Sequence, residues 1–350
     1  MPPPSRLIPK LKNVAAAAGV STSTVSRYLN RTLVLPPSTA SRIDAAVAEL
    51  GYTPDANARR LSLGRTDVIA LIIPDIANPF FARLADAIQQ AAEAEGFELL
   101  ISTTRNRPAR ECADLGRMRR DRADGVIFVT NHADDGSLAR LIDAGHPTVL
   151  LDEDVAGTSV PKLFVDNRAG GRMAAEHLVA HGHRHLAILG GPPGLLSTAE
   201  RHGGFHDAAM AAGCCVTFED FSGYSAIAGR AAAHRMLDSA HPPSAVFATS
   251  DETALGLLDA AHDRGLRIPD VLSVVAFDDI GPWHLLDPPL TAIRQPVEEL
   301  ATGGVQLLLA VIRNQPARPA RRLRVELIER YSVAPPAPSH GPSIKRQGKR

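Results

Sequence analysis

Residues 19–30 read GVSTSTVSRYLN and place five short hydroxyl side chains, Ser21, Thr22, Ser23, Thr24 and Ser26, beside Arg27, with Asn30 closing the stretch. Hydroxyls of this size approach a phosphate oxygen or a base edge without steric cost, and an arginine makes a bidentate contact to guanine. Serine and threonine are mediocre helix formers, so their density here needs a reason other than propensity. A second set of polar residues follows the apolar runs further on. Asn78-Pro79-Phe80-Phe81 comes after ALIIPDIA, Asp152 after TVLL, and Arg201 after the GGPPG loop. Ser250-Asp251 follows AVFAT, Asp278 follows VVAF, and Arg294-Gln295 follows LTAI. Paired aromatics beside an amide suit the apolar face and hydroxyl rim of a sugar ring, although a Phe pair packs in a core by default.

The chain has 350 residues, more than the roughly 100–200 of one domain, so two or more compact units are expected. Its 45% apolar and 22% charged residues are ordinary for a globular protein. No apolar run approaches the roughly 18 residues that would span a bilayer, and the Pro-rich start lacks a signal-peptide pattern. The expectation is a cytoplasmic protein with no membrane partner. Cys112, Cys214 and Cys215 make neither a disulfide framework nor a metal-ligand spacing. Charge is balanced overall at 38 acids and 38 bases, yet residues 1–65 hold nine Lys/Arg against three Asp/Glu. A basic head on an acidic body points to a polyanion partner, because phosphate neutralisation supplies most non-specific nucleic-acid affinity.

The elements that must position these residues follow from periodicity. Leu11, Val14, Ala15 and Ala18 form one apolar helical face, which Gly19 ends. Ser21 then caps a second helix whose inward positions are Val25 and Leu29. Thr22, Ser23, Ser26 and Arg27 are left on its exposed arc, near an N-terminus that itself attracts phosphate. A third helix, capped by Ser38, buries Ile43, Ala46, Val47 and Leu50 and stops at Gly51. The result is an all-α helix-turn-helix head. Beyond residue 65, the runs VIALIIP, ELLIST, GVIFVT, TVLLD, KLFVD, LAILGG, AVFATS, LSVVAFDD, LTAIRQP and VELIER alternate with helical patterns. That alternation predicts a doubly wound parallel α/β body with strands enough for two sheets, and ligands in such folds bind beyond the carboxyl ends of the strands.

LKNVAAAAGVSTSTVSRYLN, its spacing to ELGYTPDANARRL, and the later LIIPDIANPFF together resemble the LacI/GalR family of ligand-controlled transcription regulators. The resemblance runs from about Leu11 to about Val333. It implies a helix-turn-helix head (1–54), a hinge helix and linker (55–65), and a two-lobed periplasmic-binding-protein-like core for ligand binding and dimerisation (66–334); beyond it, the composition of residues 335–350 predicts a disordered basic tail. In the head it implies that Thr22, Ser23 and Arg27 read bases while Ser21, Thr24, Ser26 and Asn30 hold phosphates. In the hinge it implies that Leu61 wedges into the minor groove with Ala58 beside it. The usual aspartate of the first helix is Asn13 here. In the core, Asp152, Arg201, Asp278 and Gln295 would hydrogen-bond the effector, Phe80 and Phe81 would stack on it beside Asn78, and Trp283 could add a wall.

Two departures shape the expected effector. Ser250 stands where the family commonly has an amide, and Glu153 where an arginine often follows the first aspartate. Acidic groups favour a neutral sugar or related polyhydroxy compound over an anion, while Arg201 still permits an acidic group on it. The expected protein is a homodimeric repressor of a pseudo-palindromic operator, needing no cofactor. The alternative is an α/β enzyme acting on a sugar-like substrate, but no Ser-His-Asp order stands in an oxyanion-hole context. HGHRH (His181, His183, His185) fits a helix end running into a strand, and no metal is expected there. GGPPG lacks the Lys-Ser/Thr of a phosphate-cradling loop and reads as a turn.

Overall fold

The computed structural model describes residues 9–30, 32–52, 66–118, 120, 123–316 and 320–337. By internal contacts the chain divides into a head, Met1–Thr66, and a body, Asp67–Arg350. The residues assigned to the hinge, Ala58 and Leu61 included, lie outside the described residues, as does the tail beyond residue 337.

In the head, α1 (Leu11–Ala18), α2 (Thr22–Leu29) and α3 (Pro37–Leu50) enclose Val14, Ala15, Ala18, Val25, Ile43, Ala46 and Tyr52. Gly19 closes α1 in the left-handed conformation, φ 63°, which a residue without a Cβ adopts freely. Arg42 of α3 donates to the Ala18 carbonyl at 3.0 Å and the Gly19 carbonyl at 3.3 Å. One basic residue that composition credits to a polyanion partner is therefore engaged in ending α1. Asn13 Oδ1 accepts the Lys10 N–H at 2.9 Å, which gives the amide a capping role at the start of α1. The start of α3 differs from the sequence expectation. Pro36 is its N-cap and Pro37 its first residue, so Ser38 lies inside the first turn and does not cap. Proline at N1 is preset to helical φ and has no N–H to satisfy.

The body has two lobes. Lobe 1 is built on β1 (Val68–Ile73), β2 (Glu98–Thr103), β3 (Gly125–Phe128), β4 (Thr148–Leu151), β5 (Lys162–Val165) and β11 (Ala320–Leu323), in the order β11-β5-β4-β3-β1-β2 and all parallel. Its helices are α4 (Pro79–Ala94), α5 (Pro108–Met118), α6 (Ser137–Ile142) and α11 (Val297–Ile312). Lobe 2 holds β6 (His185–Leu189), β7 (Cys215–Asp220), β8 (Ala245–Ala248), β9 (Ser273–Asp278), β10 (Thr291–Arg294) and β12 (Glu326–Ile328), in the order β12-β10-β9-β8-β6-β7. Here β12 runs antiparallel to β10. Its helices are α7 (Asn167–Ala180), α8 (Leu196–Ala211), α9 (Ala226–Leu237) and α10 (Asp251–Asp263).

Both faces of each sheet are buried, which is why the central strands read as continuous apolar runs. Ile69, Leu71 and Ile73 of β1 pack with α4 and α11, while Val68, Ala70 and Ile72 turn to α5 and α6. Strands β7 and β11 were not legible in the sequence. Their alternating or exposed patterns, CVTFED and ARRL, belong to edges rather than centres. The chain crosses between lobes at Asp166, at Gln295-Pro296 and at Arg324-Val325, so the ends of the central strands of both lobes face one cleft.

Candidate functional site

The head offers a short, exposed helix face. Ser21 Oγ accepts the Thr24 N–H at 3.1 Å, the expected cap, and lies 2.7 Å from Ser23 Oγ and 2.8 Å from Thr24 Oγ1. Three of the five hydroxyls thus form one cluster that ties down the helix start. Ser26 Oγ is 3.5 Å from Asn30 Nδ2, a weak contact that leaves both near the end of α2. The Thr22 and Arg27 side chains are exposed and have no partner among the described residues. Those two exposed side chains are the groups most available to a partner.

In the body, the two lobes line one pocket that is partly open to solvent. Its lining includes Asn78, Phe80, Phe81, Asp152, Arg201, Ser250, Asp278 and Gln295, all expected from sequence. Each stands at a strand end or on the first turns of the helix that follows. Asn78 caps α4 by accepting the Phe80 N–H at 2.9 Å. This orients Phe80 and Phe81, which meet edge to face at 5.3 Å and serve both lobe 1's core and the pocket wall. Ser250 caps α10, accepting the Thr253 N–H at 3.1 Å.

Arg201 is the centre of the lobe 2 wall. Its guanidinium is buried and donates to Asn167 Oδ1 at 2.8 Å and to the Thr249 carbonyl at 2.6 Å. It lies 3.7 Å from Asp278 Oδ1 and stacks over Phe277 at 3.7 Å from the ring centre. The stack adds a cation–π attraction in a place where water cannot compete. Helix α8 can hold Arg201 here because α7 and α8 touch backbone to backbone: a Cβ on Gly171 would run into the Arg201 carbonyl, and one on Gly204 into that of Arg168.

The carboxylates come from both lobes. Asp152 and Asp278 end β4 and β9 with left-handed backbones, φ 65° and 96°, which turn the chain sharply there. Aspartate tolerates this region better than bulky residues do. Gln295 Nε2 donates to Asp278 Oδ1 at 2.7 Å, and Asp278 Oδ2 accepts the Asp251 N–H at 3.2 Å. Burial pushes the Asp152 carboxyl up to about 7, with Arg201 pulling the other way and Glu153 and Asp278 adding repulsion. Asp152 Oδ1 and Gln295 Oε1 are buried and have no hydrogen-bond partner among the described residues. Buried acceptors left unpaired are costly, so each is open to a further donor.

Trp283 is not part of the lining. It is 2% exposed, packs among Leu257, Leu272 and Leu290 in lobe 2, and donates its indole N–H to Asp251 Oδ1 at 2.8 Å. Asp251 also accepts the N–H groups of Ile280 and Gly281 at 2.8 and 3.1 Å, so it braces the loop after β9. The expected stacking wall is therefore a structural corner, because the loop turns the ring inward against the apolar side of the lobe 2 sheet.

The pocket also includes Thr130, Asn131, Glu153, Ser197 and Tyr224. Thr130-Asn131 follow β3 and obey the same strand-end rule. Tyr224 follows β7, the edge strand that sequence patterning missed. Glu153 stands out in sequence as a departure, but its partner is set by folding: it accepts the Leu196 N–H at 2.6 Å, the Ser197 N–H at 3.2 Å and the Ser197 hydroxyl at 2.6 Å. An acid of lobe 1 thus sits on the N-terminus of helix α8 in lobe 2. Arg322 of β11 reaches across similarly, with paired 2.6 Å bonds to Glu200.

Comparison with known proteins matches both parts. Residues 10–55 match the family described as bacterial regulatory proteins, lacI family, and residues 175–333 match the periplasmic binding protein-like domain. The HTH-type transcriptional regulator DegA of Bacillus subtilis is 32% identical over 92% of this chain and 97% of its own. Among solved structures, the lac repressor dimer bound to operator and the anti-inducer ONPF superposes with a TM-score of 0.85 and 28% identity, covering 94% of this chain and 100% of that one. The transcriptional regulator CelR–cellobiose complex gives a TM-score of 0.71 and 32% identity over 93% of this chain and 99% of that one.

Proposed function

This chain belongs to the lacI family of bacterial regulatory proteins, and from that premise we propose that it is a repressor released from its operator by a neutral, hydroxyl-rich ligand held between the lobes. It is a DNA-binding transcriptional regulator. The observation that carries the ligand class is the pair of unpartnered buried acceptors, Asp152 Oδ1 and Gln295 Oε1, beside the Phe80 and Phe81 rings. Hydroxyl donors with an apolar face satisfy both. A ligand phosphate or carboxylate would meet Asp152, Glu153 and Asp278, with Arg201 already engaged by protein acceptors. The sugar complex of the similar CelR supports the same class.

Arg27 and Thr22 read bases in this proposal, Ser26 and Asn30 approach the backbone, and the Ser21–Ser23–Thr24 cluster keeps the helix start rigid on phosphate. The role of Ala58 and Leu61 as minor-groove residues rests on the family resemblance. As in the lac repressor dimer, two copies meet one operator, and a protein that reads operator DNA works in the cytoplasm. The ligand acts only by binding one arrangement of the lobes more tightly than the other.

The test is selection of a random duplex pool by purified protein, followed by a thermal-shift screen with neutral mono- and disaccharides, cellobiose included. Enrichment of a pseudo-palindrome, a melting-temperature rise with a sugar, release of DNA by that sugar and no turnover of it are expected. Arg27→Ala should flatten preference at one base pair per half-site, and Leu61→Ala should weaken operator binding with ligand affinity intact. A pool that stays unenriched overturns the operator reading; turnover of the sugar replaces it with an enzyme.

A further inference from the structure

Far from the cleft along α7, two histidines and a glutamate converge. His177 lies in the last turn of α7 and His181 is its C-cap, so four-residue spacing puts both on one face, with ring centres 4.5 Å apart. Glu329 directly follows β12, on the edge of the lobe 2 sheet. One donor atom from each of the three lies within 4.8 Å of the other two. We propose that His177, His181 and Glu329 bind a divalent transition-metal ion of the zinc class, which clamps the end of α7 to the end of β12.

Hydrogen bonding has already sorted the ring nitrogens. His181 Nδ1 lies 2.9 Å from the His177 carbonyl, and a carbonyl can only accept, so this nitrogen carries the proton. Nε2 of His181 is left with its lone pair. A backbone carbonyl holding the far nitrogen is the usual support of a metal-bound imidazole. His177 is 8% exposed, and its Nε2 is buried with no hydrogen-bond partner among the described residues. A polar atom nine-tenths buried and unpaired, beside a second imidazole, is what an ion would satisfy.

Two imidazoles and one carboxylate select zinc, cobalt, nickel or copper over magnesium or calcium, which prefer all-oxygen sets. Tetrahedral geometry with bonds of about 2.0–2.1 Å brings donors to roughly 3.3 Å from each other, so the three, within 4.8 Å of one another here, must close in on the ion. Glu329 is exposed and can swing in, and water completes the fourth position. The neighbouring histidines of HGHRH do not join. His183 uses Nδ1 on Ser244 Oγ at 2.8 Å and Nε2 on the Ala334 carbonyl at 2.9 Å. The site thus follows helical spacing and one long-range contact, and crosses the HGHRH motif only at His181. Helix α7 and β12 each enter lobe 2 after a crossing between lobes, so the ion would fasten two of the three connections at their far ends.

The experiment uses full-length protein stripped with a chelator and dialysed. Zinc should bind with one-to-one stoichiometry by calorimetry and raise the melting temperature, and cobalt should give the visible absorption of a tetrahedral centre with nitrogen ligands. His181→Ala and Glu329→Gln, both at solvent-accessible positions, should each weaken zinc binding at least about tenfold and abolish the cobalt spectrum. Operator and sugar binding of the metal-free variants should match metal-free wild type. Absence of a cobalt spectrum in the wild type, or unchanged zinc affinity in both variants, overturns the proposal.

Discussion

Glu153 Oε2, at the end of a lobe 1 strand, accepts the Ser197 hydroxyl of lobe 2 at 2.6 Å. With the Leu196 and Ser197 N–H groups on the same carboxylate, the acid occupies the position at a helix start where unpaired donors and the helix dipole favour negative charge. The two lobes are therefore joined by a buried hydrogen-bonded link in the wall of the pocket that both of them line.

Glu153→Gln should weaken this link, because the amide offers one acceptor in place of two and brings donors toward donors. A cost of about 1–3 kcal/mol is expected, read as a drop of about 2–4 °C in melting temperature per kcal/mol. Ser197→Ala, which leaves both backbone bonds, should cost less. Equal melting of Glu153→Gln and wild type would mean that the link adds no stability.

Asp152 gives a pH dependence of definite sign. Its pKa is raised from 3.8 in the free side chain to about 7 by burial, so the folded chain retains the proton that an unfolded chain releases. This contribution to stability is complete at the acid end and is lost as pH rises to about 7. Asp152→Asn mimics the protonated form. The melting temperature of the variant relative to wild type, both without ligand, should stay level near pH 4 and climb in the variant's favour through pH 7. A difference independent of pH would show that Asp152 titrates elsewhere.

Gly171→Ala should push α8 away from α7, since the new methyl meets the Arg201 carbonyl and backbone cannot rotate aside. Overpacking of this kind costs about 1–3 kcal/mol. Because α8 carries Arg201, sugar affinity measured by calorimetry should fall together with melting temperature. A loss of stability with full sugar affinity would separate helix spacing from the pocket.

Trp283→Phe removes the indole donor to Asp251 but keeps most of the apolar bulk. Leaving a buried acceptor short costs about 1–3 kcal/mol. Melting temperature should drop while sugar affinity stays close to wild type, since the ring lies outside the pocket. A large affinity loss without a stability change would restore Trp283 to the binding wall.

Much of the site was legible because it obeys local rules. Ser21 before an amphipathic octet reads as a cap, and Gly19 reads as a helix end, because both effects act within one turn. The strand-end rule found Asp152, Ser250, Asp278 and Gln295 because their apolar strands are continuous and central. It failed to reach Tyr224, which follows an edge strand with an alternating pattern, and it overreached at Trp283, where a loop decides the direction of the ring. Ser23 and Thr24 show the same limit on a smaller scale: their types suit a partner, but their hydroxyls close on Ser21.

By itself, the sequence determined the helix-turn-helix head and an α/β body with strands enough for two sheets, since periodicity, caps and apolar runs are properties of neighbouring residues; the family came from the likeness of its motifs. Only the tertiary structure decided which acceptors remain unpaired in the pocket, that Glu153 bridges the lobes, and that His181 meets His177 and Glu329 rather than the histidines beside it in the chain. Those outcomes depend on burial and on contacts between distant segments, which set the energy of a polar group once water has been removed.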